Sequence, residues 1–190
     1  MNISILLEKN NRLEFMLRGA SVPFSNMLRR YAMGQVPVYA IDRVVFYENS
    51  SALFDEYIAH RLGQIPILSE SVRADEVVFT LEAEGPTTIL SRDLKSTDSK
   101  IKAAIDNIPI LKLLEGQNLR LEAKARMGIG RQHAKFQPGL VSYEILSPNE
   151  LKFKVESFMQ LEPREFLLRS ADMIIKRCEE LESKLEEIKN

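Results

Sequence analysis

Alternation opens the chain. Ile3, Ile5 and Leu7 take every second position, Asn10-Asn11 offers a turn that tolerates positive φ, and Leu13, Phe15 and Leu17 resume the pattern. This predicts an antiparallel hairpin over residues 2–18 with one buried face. Ser21 is placed to cap a helix, and Pro23 suits its first turn, where a missing N–H costs nothing. That helix is expected to run to about Met33 and to be stopped by Gly34 and Pro37. Residues 38–47, with Ile41, Val44, Val45 and Phe46, read as the next strand. Ser50 or Ser51 caps a second predicted helix, with Asp55 and Glu56 at its positive end. Leu53, Tyr57, Ile58 and Leu62 recur along it at helical spacing, and Gly63 and Pro66 close it.

Further along, Val77, Phe79 and Leu81 alternate with Val78, Thr80 and Glu82, a half-buried strand over 76–83. Ser91–Asn107 is polar and turn-rich and is expected to be a surface excursion. Leu119, Leu121, Ala123 and Ala125 mark another strand, followed by two more near 140–146 and 151–158. The clearest period is the last. Leu167, Ala171, Ile174, Cys178, Leu181, Leu185 and Ile188 are spaced alternately by four and three, a heptad seam on a helix beginning near Pro163. At 1.5 Å per residue such a helix is about 40 Å long. Its other face, with Lys176, Arg177, Glu179, Glu180, Glu182, Lys184, Glu186 and Glu187, is solvated. The seam could pack on its own domain. A helix of this length exceeds what a small α+β domain can cover, however, so part of the seam is expected to meet another chain.

Composition narrows the function. Of 190 residues 45% are hydrophobic and 28% charged, and 26 basic residues against 27 acidic ones leave a formal net charge of -1. That is a soluble globular profile, and near-neutrality removes the strongest argument for a free-standing nucleic-acid binder. No apolar stretch approaches the roughly 18 residues needed to cross a bilayer, and no signal peptide is visible at Met1–Glu8. Cys178, the single cysteine, fits a reducing cytoplasm. With only His60 and His133 beside it, it makes a poor set of metal ligands.

Catalytic motifs are sparse. The run from Gly128 to His133 lacks the spacing of a phosphate-binding loop and is expected to be a mobile turn. His60 has Asp55 and Glu56 one turn earlier, but no nucleophile stands beside it in the sequence, so a surface or interface role is preferred. Cys178 on the seam behaves as a small hydrophobe. Between 112 and 135, Lys112, Arg120, Lys124, Arg126, Arg131 and Lys135 stand against only Glu115 and Glu122. A phosphate-contacting patch is one reading. With Phe136 the one aromatic at its edge, few bases could stack there, and a rim that docks an acidic protein surface is preferred.

Residues 48–68, Glu-Asn-Ser-Ser-Ala-Leu-Phe-Asp-Glu-Tyr-Ile-Ala-His-Arg-Leu-Gly-Gln-Ile-Pro-Ile-Leu, closely resemble the hallmark segment of the α-like subunits of RNA polymerases. That family has archaeal members and takes in the third-largest subunit of eukaryotic polymerase II. Three further segments agree in order: Ser21–Arg30, containing Asn26-Met27-Leu28-Arg29-Arg30; Val36–Asp42; and His133–Pro138. The resemblance covers nearly the whole chain and is nearest to the archaeal members.

It implies an α+β fold with a discontinuous dimerisation domain, an antiparallel sheet with two helices built from 1–47 and 146–190. A mainly-β domain, 48–145, is inserted between the two parts. It implies a non-catalytic assembly platform of DNA-directed RNA polymerase, acting in the cytoplasm and meeting DNA only through the complex. The helix-bearing face, with Leu167, Ala171, Ile174, Cys178, Leu181, Leu185 and Ile188, would pair with the small α-like subunit L. The pair would then recruit the β-like subunit and subunit N, with Arg29 and Arg30 facing the β-like subunit. Many relatives carry an added cysteine-rich domain with an iron–sulfur cluster, and the polymerase II counterpart binds zinc. Here Ser147–Leu151 leads straight into the next strand, so no cofactor or metal is expected. Two other readings stay open: a free-standing homodimeric transcription regulator or nucleic-acid-binding module using 112–135, and an enzyme centred on His60.

Overall fold

A computed structural model describes residues 1–69 and 76–188. In chain order the elements are β1 (Asn2–Lys9), β2 (Arg12–Arg18), α1 (Val22–Gln35), β3 (Pro37–Asn49) and α2 (Asp55–Gly63). There follow β4 (Glu76–Glu84), β5 (Thr87–Leu90), β6 (Lys95–Ser96), β7 (Pro109–Leu113) and β8 (Asn118–Ile129). The chain closes with β9 (Gly139–Ser147), β10 (Glu150–Ser157) and α3 (Pro163–Ile188). Short 3-10 turns lie at Ser91–Asp93 and Ala134–Phe136. The fold is α+β, and it divides into two units. A framework unit comprises 1–36, 129–131 and 137–190, and an inserted unit comprises 37–128 and 132–136.

The framework sheet has the order β1-β2-β10-β9, with antiparallel neighbours throughout. Its register aligns apolar residues from three strands in rows. Leu17, Leu151 and Ile145 form one row, Phe15, Phe153 and Tyr143 the next, and Leu13, Val155 and Val141 the third. In the middle row Phe15 and Phe153 stack with ring centroids 5.0 Å apart, and the Tyr143 ring lies tilted, 5.4 Å from Phe153. Along the same strands Arg18 pairs with Glu150 (2.7 Å) and Arg12 with Glu156 (3.3 Å), so solvated charges agree with the register.

The hairpin forms where alternation predicts it, with Asn10 at φ 52° in the turn. Its buried face belongs to β2 alone. β1 is the sheet edge, and Ile3 and Ile5 are 62% and 48% exposed. A register shift between Ile5 and Leu7 then sets Leu7 opposite Glu14, breaking the alternation.

Ser21 caps α1 as expected, its Oγ accepting the Phe24 N–H at 3.4 Å. The helix continues through Gly34 to Gln35 and stops because Val36 precedes a proline, which disfavours helical geometry there. Ser25 and Ala32 of α1 are buried, as are Pro163, Phe166 and Ser170 of α3, and the two helices pack against each other. The unit boundaries differ from the 47/48 and 145/146 expected. Those points fall inside β3 and β9. A strand is held by its sheet neighbours, so β3 belongs wholly to the inserted unit and β9 to the framework.

Between β10 and α3, Met159 takes φ 75°, a region unfavourable to side chains with a Cβ. The turn is braced. Ser157 Oγ accepts the Met159 N–H at 3.0 Å, and the Phe158 N–H donates to the Pro138 carbonyl at 2.9 Å. Met159→Gly relieves the backbone but gives the unfolded chain more freedom. We expect a net gain of about 0.5–1 kcal/mol from the difference of those terms, read as a higher urea midpoint at unchanged slope. A lower midpoint would mean that the packing of the half-exposed Met159 side chain outweighs the strain.

In the inserted unit the sheet order is β3-β8-β4-β6, with β5 and β7 forming a separate pair. Ile58 and Leu62 of α2 join one apolar cluster with Tyr39, Ile41, Phe79 and Leu121. The expected surface excursion at 91–107 is largely exposed but is anchored in this core at a few positions. Leu94, Ile101 and Ala103 are buried, and Ser91 is fully buried because its Oγ donates to the Ile105 carbonyl and accepts the Ile108 N–H. Neither Ser50 nor Ser51 caps α2. Phe54 holds the cap position without a side-chain bond. Asn49 organises the approach instead, accepting from Ser51 Oγ (2.6 Å) and donating to the Leu53 carbonyl (2.9 Å) and Asp55 Oδ1 (2.7 Å).

Candidate protein-interaction surfaces

α3 meets its own unit through Phe166 and Ser170, the face beside the predicted seam rather than the seam itself. Leu167, Ala171 and Ile174 are half-buried. Cys178, Leu181, Leu185 and Ile188 are exposed, with Leu181 at 60%. The seam therefore starts against the framework and leaves it uncovered after Ile174. Leu168 and Ile175, also exposed, widen the stripe. They fall outside strict heptad spacing, although they are themselves seven residues apart, and that spacing was their signal in the sequence.

Arg29 and Arg30 lie on α1 and line one open groove of about 790 Å³. Arg29 is held by Asn26, whose Oδ1 accepts from Nε at 3.2 Å and from Nη2 at 3.0 Å. This fixes the guanidinium plane at one helical turn's spacing. Arg30 is exposed.

The basic segment between 112 and 135 does not form one patch. Lys124 pairs with Glu76 (3.4 Å), and Arg120 lies over the Tyr47 ring at 5.2 Å. Arg126 and Lys135 both bind Asp42, at 2.8 and 2.6 Å, and both lie over Phe136. Hydrogen bonds from Arg126 and then Lys135 hold the Asp42 carboxyl down at about 2, against an ordinary 3.8. A carboxyl depressed in the folded state contributes its full stability above about pH 4 and loses it as pH falls towards 2. Asp42→Asn should therefore flatten the acid dependence of stability in that window, measured by urea unfolding at pH 5, 3 and 2. An unchanged slope would assign the acid sensitivity to other carboxylates.

The remaining candidates bring little chemistry together. His60 is exposed on α2 and lines a small cavity of about 150 Å³ with Asp42, His133 and Lys135. Asp42 is committed to two cations, Asp55 to Asn49, and His133 Nδ1 accepts the Lys135 N–H at 3.1 Å. Among the described residues no group of three His, Cys, Asp or Glu side chains could hold a metal ion. The expected turn forms at residues 130–132, but the glycines before His133 are closely packed. A Cβ on Gly128 would lie 2.7 Å from the Phe136 ring, and one on Gly130 would strike the Met33 carbonyl oxygen. No described helix is long and apolar enough to cross a membrane.

A sheet closed by strands from both ends of the chain, two helices packed on it and a mainly-β insert together define the α-like class of polymerase-subunit scaffold. The family described as the RNA polymerase Rpb3/RpoA insert domain matches residues 44–142. DNA-directed RNA polymerase subunit Rpo3 of Pyrococcus furiosus is 47% identical over 153 residues, covering 76% of this chain and 59% of that protein. The Thermococcus kodakarensis subunit is 44% identical over 85% of this chain and 66% of its own length. That of Methanocaldococcus jannaschii is 44% identical over 89% of this chain and 88% of its own. The chain belongs to the Rpo3 family of archaeal DNA-directed RNA polymerase subunits. It spans about three-fifths to two-thirds of the first two relatives and most of the third.

Proposed function

We propose that the chain is a non-catalytic assembly platform of a multisubunit RNA polymerase, acting in the cytoplasm and pairing through α3 with a small α-like subunit of the L type. The observation that carries this is the seam of α3, which leaves its own unit after Ile174 with Cys178, Leu181, Leu185 and Ile188 uncovered. Burying each leucine of that stripe is worth about 1.5–3 kcal/mol at most, enough in sum to hold a second subunit. The pair would then recruit the β-like subunit through the face of α1 that carries Arg29 and Arg30, together with subunit N. DNA is met only through the complex, and no cofactor is assigned to the chain. The free-standing nucleic-acid reading has less support, because Lys124, Arg126 and Lys135 are committed to carboxylates within the chain.

Co-expression with a small α-like subunit tests this directly. Light scattering should give a mass of one copy of each chain. Separate monomers, or a homodimer that ignores the added subunit, would overturn it.

A further inference from the structure

We infer that Arg131 completes the groove of Arg29 and Arg30, and that this three-arginine groove takes a carboxylate-bearing segment of the β-like subunit. The inference rests on the reading of α1 above and adds the residue and the chemistry of the contact.

Residues 129–131 belong to the framework unit, although residues on both sides of them belong to the insert. Their detour has a visible cause. Gly130 lies so close to the last turn of α1 that only hydrogen fits beneath the Met33 carbonyl, and the Arg131 N–H donates to the Gly34 carbonyl at 3.0 Å. The backbone is thereby fixed at the C-terminal end of α1, while the Arg131 side chain is exposed and lines the same groove as Arg29 and Arg30.

Among the described residues no Asp or Glu lines that groove. Among the described residues neither Arg30 nor Arg131 has a side-chain ion pair or hydrogen bond, whereas Arg12, Arg18, Arg126, Arg164 and Arg177 each have a carboxylate. Like charges gathered in one concavity repel and focus the field, and a carboxylate relieves both. The guanidinium fork suits it because two parallel N–H bonds match its two oxygens. The Gln35 amide in the lining can read a peptide group, whereas Asn26 Oδ1 is taken by Arg29 and Gln137 Nε2 by the Gly139 carbonyl. A polynucleotide would also be drawn to the charge, but among the described residues Tyr31 is the one aromatic side chain in the lining, which leaves little for bases to stack on.

A purely structural part for Arg131, as a counter-charge at the α1 C-terminus, is also physically sensible. The experiment must separate the two. The intact heterodimer is titrated with the β-like subunit across a series of NaCl concentrations, using wild type, Arg131→Gln and the double variant Arg29→Ala/Arg30→Ala. Arg131→Gln should weaken capture about tenfold at low salt, reduce the salt dependence and leave the unfolding midpoint unchanged, with Arg131→Lys recovering part of the loss. Capture equal to wild type would overturn the inference while loss in the double variant upheld α1 as the docking face. If neither variant affects capture, the reading of α1 falls as well. A lowered unfolding midpoint accompanying the loss would assign Arg131 to holding α1. Salt-dependent binding of a DNA or RNA oligomer that Arg131→Gln abolishes would replace the protein segment with nucleic acid.

Discussion

Leu181→Asp is expected to abolish pairing with the small α-like subunit and to leave the chain's own fold nearly untouched. Leu181 is 60% exposed, so in the free chain the change replaces one solvated side chain with another. The helix interior loses up to about 0.7 kcal/mol of propensity, and little else moves. In the proposed pair the same position would be closed between apolar surfaces, where an unpartnered carboxylate would cost several kcal/mol and the leucine's own burial would be forfeited. Light scattering of the co-expressed chains should therefore give monomers, while the urea midpoint of the variant alone stays close to wild type. Ile174→Asp should also prevent pairing. Because Ile174 is half-buried in its own unit, that variant would confound association with folding. Retained pairing by Leu181→Asp would put the interface on another part of the molecule.

The second large effect lies in the framework core. Phe153 is fully buried on β10, stacked against Phe15 on one side strand and in tilted ring contact with Tyr143 on the other. Truncation to alanine removes both ring contacts and opens a cavity between strands that hydrogen bonds hold in register, so collapse cannot fill it. We expect Phe153→Ala to cost about 3–5 kcal/mol, a large share of the roughly 5–15 kcal/mol available to a typical domain. Urea unfolding followed by circular dichroism checks this. Phe153→Leu should recover part of the loss, and a cost below about 1 kcal/mol would mean that the stack does not hold the sheet together.

Much of this arrangement was legible in the residues. Alternation located β2, β4, β8 and β10, and Ser21, Pro23 and Pro37 bracketed α1, because those signals act within a few residues of one another. The heptad spacing found the stripe on α3 but not which of its faces turns inward. Phe166 and Ser170 are the buried residues of that face, where α3 packs on α1 and the framework strands, and no local signal reports partners so far away in the chain. The same limit hid the fate of Arg126 and Lys135. Their charges pointed outward to a ligand until Asp42, 84 and 93 residues distant, stood between them. The polarity of Ser91–Asn107 pointed to the surface, where most of it lies, but did not show that Ser91 is buried with its hydroxyl fully used. Arg131 was visible only as one cation among six, and the close approach of Gly130 to α1 is what sets it apart.

The central position of β10 also governs the order in which the polypeptide can mature on the ribosome. β2 must find its neighbour 132 residues later, as the Arg18–Glu150 pair records, so Leu13, Phe15 and Leu17 emerge with no strand to cover one side. At roughly 5–20 residues per second that interval is on the order of ten seconds. The insert is translated in full during it. Until β10 arrives, the apolar face of β2 lacks its partner on that side. α3, which carries the exposed stripe, follows β10 in the chain and is made only after the sheet has its last strand.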